Sequence, residues 1–402
     1  MTQIASKNSM SYERNYSLMT VILFWCGLVV VSSVYLTIPL AAIFSDVFNS
    51  TTAQTVWTSS AFSLFYAVGC LFTGPMSDRY GPKPVILYGL VILSIITIAS
   101  GLSTSLLMLI ILRSLQGIAA ATFPPVVVTY IVEIFPPEKH VTTIGFVSSS
   151  FLMAGIVGQV FSSSISSMFG WRYVFFIIGA IYLITTIIVA LRIPNVDNQN
   201  KNSSLLEPFK QFGFIFTIKP LLFCYVIAIT LLLTFVGMYT ALGNYLSLEL
   251  GLGSKDVFLV RTVGIIGMLF SPFTGKLVAK YGIQNSLRAG LTLAFVGLAF
   301  LGFTSNLPLL IIMSVIFVTG IAVTVPTLIS LVGQLGGHAR GAAVSLYVFF
   351  VFIGASLGPI VAVALLNTGS YLLTFETMAL MLFIGIVISL VVKFTKPSKV
   401  LK

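Results

Sequence analysis

Apolar residues fill long, nearly unbroken runs along this chain, and polar residues gather in short stretches between them. A helix needs about 20 apolar residues to cross the hydrocarbon of a bilayer. Twelve runs approach or exceed that length: 18–44, 54–74, 84–103, 106–132, 141–167, 172–191, 220–246, 257–278, 286–303, 307–332, 341–366 and 371–392. Glycine and proline inside several runs do not disqualify them. Spanning helices find new partners for freed backbone groups among their neighbours, and small residues let helices approach closely. Gly117, Gly155, Gly158, Gly354, Gly358 and Pro359 are therefore expected at helix contacts. The longest polar stretch, 192–219, holds Asn195, Asp197, Asn198, Asn200, Lys201 and Asn202. It predicts a linker between an N-terminal six-helix half, 1–191, and a C-terminal one, 220–402, in an all-α integral membrane protein.

The two halves share a motif. The stretch from Gly74 through Asp78, Arg79, Tyr80, Gly81 and Pro82 to Lys83 nearly recurs 201 positions later, from Gly275 through Lys280 and Tyr281 to Gly282. Each copy is expected to open a short polar turn at the end of an apolar run. Internal repeats of this kind build many secondary transporters. In the second copy Ala279 stands where the first has Asp78, so any work done by that carboxylate is confined to one half.

Composition agrees with a lipid solvent. The chain is 57% hydrophobic and 8% charged, against about 25% charged in soluble domains, and its mean hydropathy is +1.08. The net charge of +11 does not point to nucleic acid, because the basic residues lie in turns and at the ends rather than on one face. If both termini are cytoplasmic, 17 of the 21 Lys and Arg residues fall on that side, while the outer side keeps Arg172 and Lys255. Arg113 and Arg261 lie within runs. That asymmetry follows the positive-inside rule and predicts an even number of spans. The expectation is a multi-pass protein of the plasma membrane with both ends in the cytoplasm. Cys26, Cys70 and Cys224 sit inside apolar runs and read as core residues rather than a disulfide framework. The first run is too long for a signal peptide and is expected to be retained. The chain has no Walker A loop and no complete G-x-G-x-x-G, and its histidines are His140 and His338. An enzyme, a cofactor and a metal centre are not expected, and energy would come from a gradient.

With the motifs in place, the chain resembles the major facilitator superfamily, and specifically its twelve-span drug/proton antiporter branch. Gly74, Asp78, Arg79, Gly81 and Lys83 match that family's motif between spans two and three, with Pro82 in place of the usual first basic residue. In the fourth run, Arg113 followed by Gln116 and Gly117 matches the motif built on an intramembrane arginine. The antiporter pattern of span five is partial: Gly158 is present, but Gln159 stands at the proline position. The full form, Gly354 to Gly358-Pro359, falls in the eleventh run. The resemblance implies the major facilitator fold, two pseudo-symmetric six-helix halves moving a small molecule by alternating access. It further implies proton-coupled export, a monomer, and a small-molecule substrate.

The mouth charges Asp78 and Arg79, with Gly74, Gly81, Lys83 and Glu133, read either as a gate or as a turn whose charges satisfy the positive-inside rule. Arg113 is embedded deeply enough to be a functional hypothesis by default. Its charge is expected to face a cavity, and its removal to spare the fold. Arg261 reads equally as functional or as snorkelling, and Glu376 as snorkelling rather than functional. Gln116, Gln159, Tyr239 and Asn244 are candidate hydrogen-bonding groups of a cavity. Trp25, Tyr35, Trp57, Phe65 and Tyr66 are candidate aromatic walls. Embedded arginines without embedded acids favour an anionic or neutral substrate. Proton-coupled uptake of such a molecule, a non-transporting sensor and a lipid flippase stand as alternatives. The polar linker is too short to hold a sensor's soluble domain.

Overall fold

The computed structural model describes residues 15–195 and 207–392, and among them it is all helical. Twelve long helices follow in order: α1 Tyr16–Tyr35, α2 Trp57–Tyr80, α3 Pro82–Gly101, α4 Leu106–Ile134, α5 Pro137–Phe169 and α6 Trp171–Arg192. The second set is α7 Lys219–Leu248, α8 Asp256–Tyr281, α9 Ile283–Gly302, α10 Leu307–Leu335, α11 Arg340–Leu366 and α12 Tyr371–Val391. Eleven of these are long and apolar enough to cross a membrane by length and composition alone. The remaining one, α2, is long enough but diluted by Ser59, Ser60, Ser63, Thr73 and Ser77. It is sheltered between α4 and α11.

Pairing repeats with a shift of six. Helices α1 and α5, α2 and α4, and α3 and α6 pack together in the first set. In the second, α7 packs on α11, α8 on α10 and α9 on α12. The sets meet along α2 with α11 and α5 with α8, which are again equivalent under that shift. Small residues make the closest approaches. A Cβ on Gly158 would stand 2.7 Å from Ser32 O in α1, and one on Gly358 would stand 2.7 Å from Leu233 O in α7. Gly354 backs onto Ile229 in the same seam, and Gly117 onto the backbone of Phe62 and Tyr66. Gly155 faces the Tyr35 ring at an ordinary 3.5 Å. The Pro359 side chain lies outside the described ones.

Three local expectations change. The run 18–44 is not one helix: α1 stops at Tyr35, and a turn through Pro39 leads into a short helix Ala41–Val47. Proline at 39 has no N–H to continue the ladder and disfavours helix at the residue before it. The motif at 74–80 does not open a turn, since α2 runs through Gly74 and Pro75 to Tyr80. Gly81 alone reverses the chain, at φ 90°, a conformation that costs glycine nothing. Its repeat partner Gly282 does the same at φ 82°. The linker contains a helix, Glu207–Thr217, that precedes α7, while 196–206 lies outside the described residues.

Candidate functional site

Between the two sets of helices lies a cavity of about 70 Å³, walled by α1, α2, α4 and α5 on one side and α7, α10 and α11 on the other. Its surface is aliphatic and aromatic, and among the described residues no charged side chain lines it. The polar groups are the hydroxyls of Tyr35, Tyr66, Ser148 and Tyr347. Three of them, on Tyr66, Ser148 and Tyr347, are buried and have no hydrogen-bond partner. An unpaired buried hydroxyl costs about 1–3 kcal/mol. Three such hydroxyls belong to residues around one small space, each without a partner inside the protein. One water fills about 10–15 Å³ on this measure, so several fit. A drug-sized molecule needs roughly 300–1,000 Å³, so the space must widen to take such a guest. The Tyr66 ring meets Phe352 of α11 at 4.4 Å between centroids, closing the space across the two halves.

The seams between halves are tight at the end of the bundle that carries Gly81 and Gly282, here called the basic end. On one side, a Cβ at Gly74 would collide with Ser345 Oγ and lie 2.7 Å from Gly341 O of α11. On the other, Ser271 Oγ donates to Gly145 O at 2.8 Å, and Gly275 presses on Thr142. Of the other gate candidates, Lys83 donates to Ala190 O at 3.0 Å and so ties α3 to α6 within one half. The Arg79 guanidinium lies 5.3 Å from the Tyr80 ring centroid. The Asp78 side chain lies outside the described ones. Glu133, in the last turn of α4, is in the field of Arg340 at the start of α11. Arg340 also donates to Gly333 O at 2.9 Å. Glu133 was expected to join Asp78 and Arg79 within the first half; the charge whose field it feels here is Arg340 of the second half.

Arg113 is fully buried, yet it is not part of the cavity wall. Its Nε donates to Thr58 O at 3.0 Å, one terminal nitrogen to Gln116 Oε1 at 2.9 Å, and the other to Ser33 O at 2.8 Å. The guanidinium also covers the Phe62 ring at 4.2 Å. Gln116 continues the network by donating to Thr97 Oγ1 at 2.7 Å in α3. Four helices of one half, α1 to α4, thus converge on one cation with no carboxylate among these partners. The compensation comes from the end of α1. Ser33 is within its last four residues, whose carbonyls lack helical partners and carry the negative end of the helix dipole. The break at Pro39 makes that end available.

The remaining candidates also lie off the cavity. Gln159 turns back to its own Gly155 O at 2.7 Å. Arg261 donates to Tyr239 O at 2.8 Å, and Asn244 Oδ1 accepts from Tyr371 OH at 2.7 Å, so these bind α8 and α12 to α7. The Tyr239 hydroxyl is unpaired and packs against Gly264. Of the expected aromatic walls, Tyr35 and Tyr66 reach the cavity, while Trp57 is 56% exposed and Trp25 donates to Thr185. Ser148, Tyr347 and Phe352 were not foreseen. The repeat held a signal for two of them. Ser148 and Tyr347 stand equally far before Gly170 and Gly369, the positive-φ glycines that follow α5 and α11.

Two six-helix sets of matching topology, joined around a central cavity, define a membrane transporter of the two-bundle kind. The profile of the Major Facilitator Superfamily matches residues 23–339, and the chain belongs to that family. It is 28% identical over 341 residues to an uncharacterized transporter of Buchnera aphidicola subsp. Schizaphis graminum, covering 83% of this chain and 81% of the relative. Multidrug resistance protein 2 of Bacillus subtilis is 25% identical over 335 residues, covering 81% and 82%. The crystal structure of the human organic anion transporter MFSD10 (TETRAN) superposes with a TM-score of 0.73 at 17% identity, covering 92% of this chain and 98% of the other. The chain is a membrane transporter of this superfamily and not an enzyme.

Proposed function

We propose that the protein exports a small, uncharged, amphiphilic organic molecule in exchange for protons, with the halves 1–191 and 220–402 rocking about the central cavity. The carrying observation is the cavity lining: aromatic and aliphatic, with unpaired hydroxyls and no charge among the described residues. Placing an ion in such surroundings is costly unless it is paired. Dispersion and ring contact with a few hydrogen bonds suit a neutral guest. This narrows the earlier preference for an anionic or neutral substrate, because Arg113 and Arg261 are both engaged elsewhere. Export and proton coupling rest on the resemblance to drug/proton antiporters and on the multidrug resistance relative.

In this reading the basic end is cytoplasmic, by the positive-inside rule, and the Gly74–Gly341 and Gly145–Ser271 contacts are its seal. Glu133 with Arg340, and Asp78 and Arg79 in the last turn of α2, hold that seal until the halves rock. The test is a ligand panel on purified protein, sorted into neutral, anionic and cationic amphiphiles of equal size and read by thermal shift. Neutral members should stabilise wild type and lose their effect in Ser148→Trp, which fills the cavity. Preferential stabilisation by anions would reject the reading.

A further inference from the structure

A second and larger space opens sideways from the bundle at the basic end. It is a groove of about 800 Å³ between α1 and α5 of the first half and α8 of the second. Val21, Phe24, Phe146 and Leu269 form its floor and walls. Two lysines, Lys139 in the first turn of α5 and Lys276 near the end of α8, stand at its mouth. Their ammonium groups lie over rings of the same groove, Lys139 at 4.8 Å from the Tyr16 centroid and Lys276 at 5.8 Å from that of Phe273. Neither is held by a carboxylate among the described residues of the lining. Glu138, the acidic neighbour of Lys139, is exposed and not part of that lining.

The dimensions match one leaflet. At 1.5 Å per helical residue, Phe24 and Phe146 lie roughly 10–12 Å deeper than Tyr16 and Lys139. Half of a ~30 Å hydrocarbon core is about 15 Å. An apolar trough of that depth, capped by two positive charges, complements an acyl chain with an anionic head. Each lysine near a membrane surface contributes to attraction of anionic lipid, and the apolar wall adds the chain's own burial.

We infer that this groove is a binding site for an anionic phospholipid, whose phosphate lies between Lys139 and Lys276 and whose acyl chain lies along Val21, Phe24, Phe146 and Leu269. The groove is built from both halves, beside the Gly145–Ser271 and Thr142–Gly275 contacts. Its occupant therefore stabilises the conformation in which these contacts are made, since a ligand shifts an equilibrium by its differential affinity for the two states. The site is separate from the central cavity and stands whatever the transported molecule is.

The test uses the delipidated full chain in detergent, titrated with phosphatidylglycerol or phosphatidylcholine of equal chain length, and with water-soluble glycerophosphate. Binding is followed by native mass spectrometry and melting temperature. Phosphatidylglycerol should bind and raise the melting temperature, phosphatidylcholine should bind more weakly, and glycerophosphate should do neither. The Lys139→Gln/Lys276→Gln protein should bind phosphatidylglycerol about 30-fold more weakly, while Lys219→Gln/Lys280→Gln should match wild type. Val21→Trp, at a position 63% exposed and tolerant of bulk, should weaken lipid binding with both lysines intact. Unchanged phosphatidylglycerol affinity in the double variant would overturn the proposal. Equal binding of glycerophosphate would do so as well, because it would show a simple anion site without a chain groove.

Discussion

Replacing Arg113 by alanine should loosen the first half rather than only silence transport. The substitution leaves Ser33 O and Gln116 Oε1 without their donor, while Thr58 O, early in α2, retains its place in the helical ladder. Two orphaned buried acceptors cost about 1–3 kcal/mol each. The void left beside Phe62 adds to that sum, and relief of the cation's desolvation subtracts from it. A net loss of about 3 kcal/mol is expected. For a unit the size of one half, that lowers the melting temperature by about 6–12 °C, readable by intrinsic tryptophan fluorescence in detergent. Arg113→Lys should fall between, because one ammonium cannot reach carbonyls on α1 and α2 and the Gln116 amide together. Ligand binding in the cavity, measured below the melting range, should change little. A melting temperature within about 2 °C of wild type, combined with lost transport, would refute this reasoning and return Arg113 to a role in substrate or proton handling.

Tyr66→Phe and Tyr347→Phe keep the cavity's rings and remove its unpaired hydroxyls, so each should weaken a bound neutral ligand by roughly 2- to 13-fold and leave the unliganded melting temperature unchanged or raised; a lowered melting temperature would show that these hydroxyls have structural partners. Gly74→Val should prop open the α2–α11 seam, and a cysteine placed at Ser345 should then react with a maleimide about tenfold faster, a shift of about 1.4 kcal/mol in the closing equilibrium; equal rates would mean that the glycine contact is not the seal. Cysteines in 45–53 and 247–256 should label from outside intact cells and those in 195–205 should not, with reversed labelling rejecting the proposed orientation.

The architecture was legible because its signals are long and periodic. Twelve apolar runs and the recurrence of Gly81 as Gly282 lead directly to two matching six-helix sets. The site was legible only in part. In water, an amphipathic pattern tells which face of a helix turns inward, since core and solvent differ. In lipid both sides are apolar, so the inward faces of α5 and α11 carry no such mark. Ser148 and Tyr347 therefore vanish among neighbours such as Ser149, Ser150, Phe349 and Phe350. Arg113 illustrates the opposite error. Its depth in α4 was readable, but two of its acceptors are the backbone carbonyls of Ser33 and Thr58, and main-chain acceptors leave no residue type to recognise. That Glu133 lies in the field of Arg340 depends on which helices meet at the basic end, and short loops do not encode that.

The most direct test of the account is transport itself, measured in proteoliposomes with a neutral amphiphile selected by the ligand panel. An imposed proton gradient should drive its movement against its own gradient in wild type, and a protonophore should collapse that movement. Ser148→Trp, which fills the central cavity from α5, should abolish it, with insertion and melting temperature near wild type. Undiminished proton-driven flux in Ser148→Trp would contradict the claim that the substrate passes through this cavity.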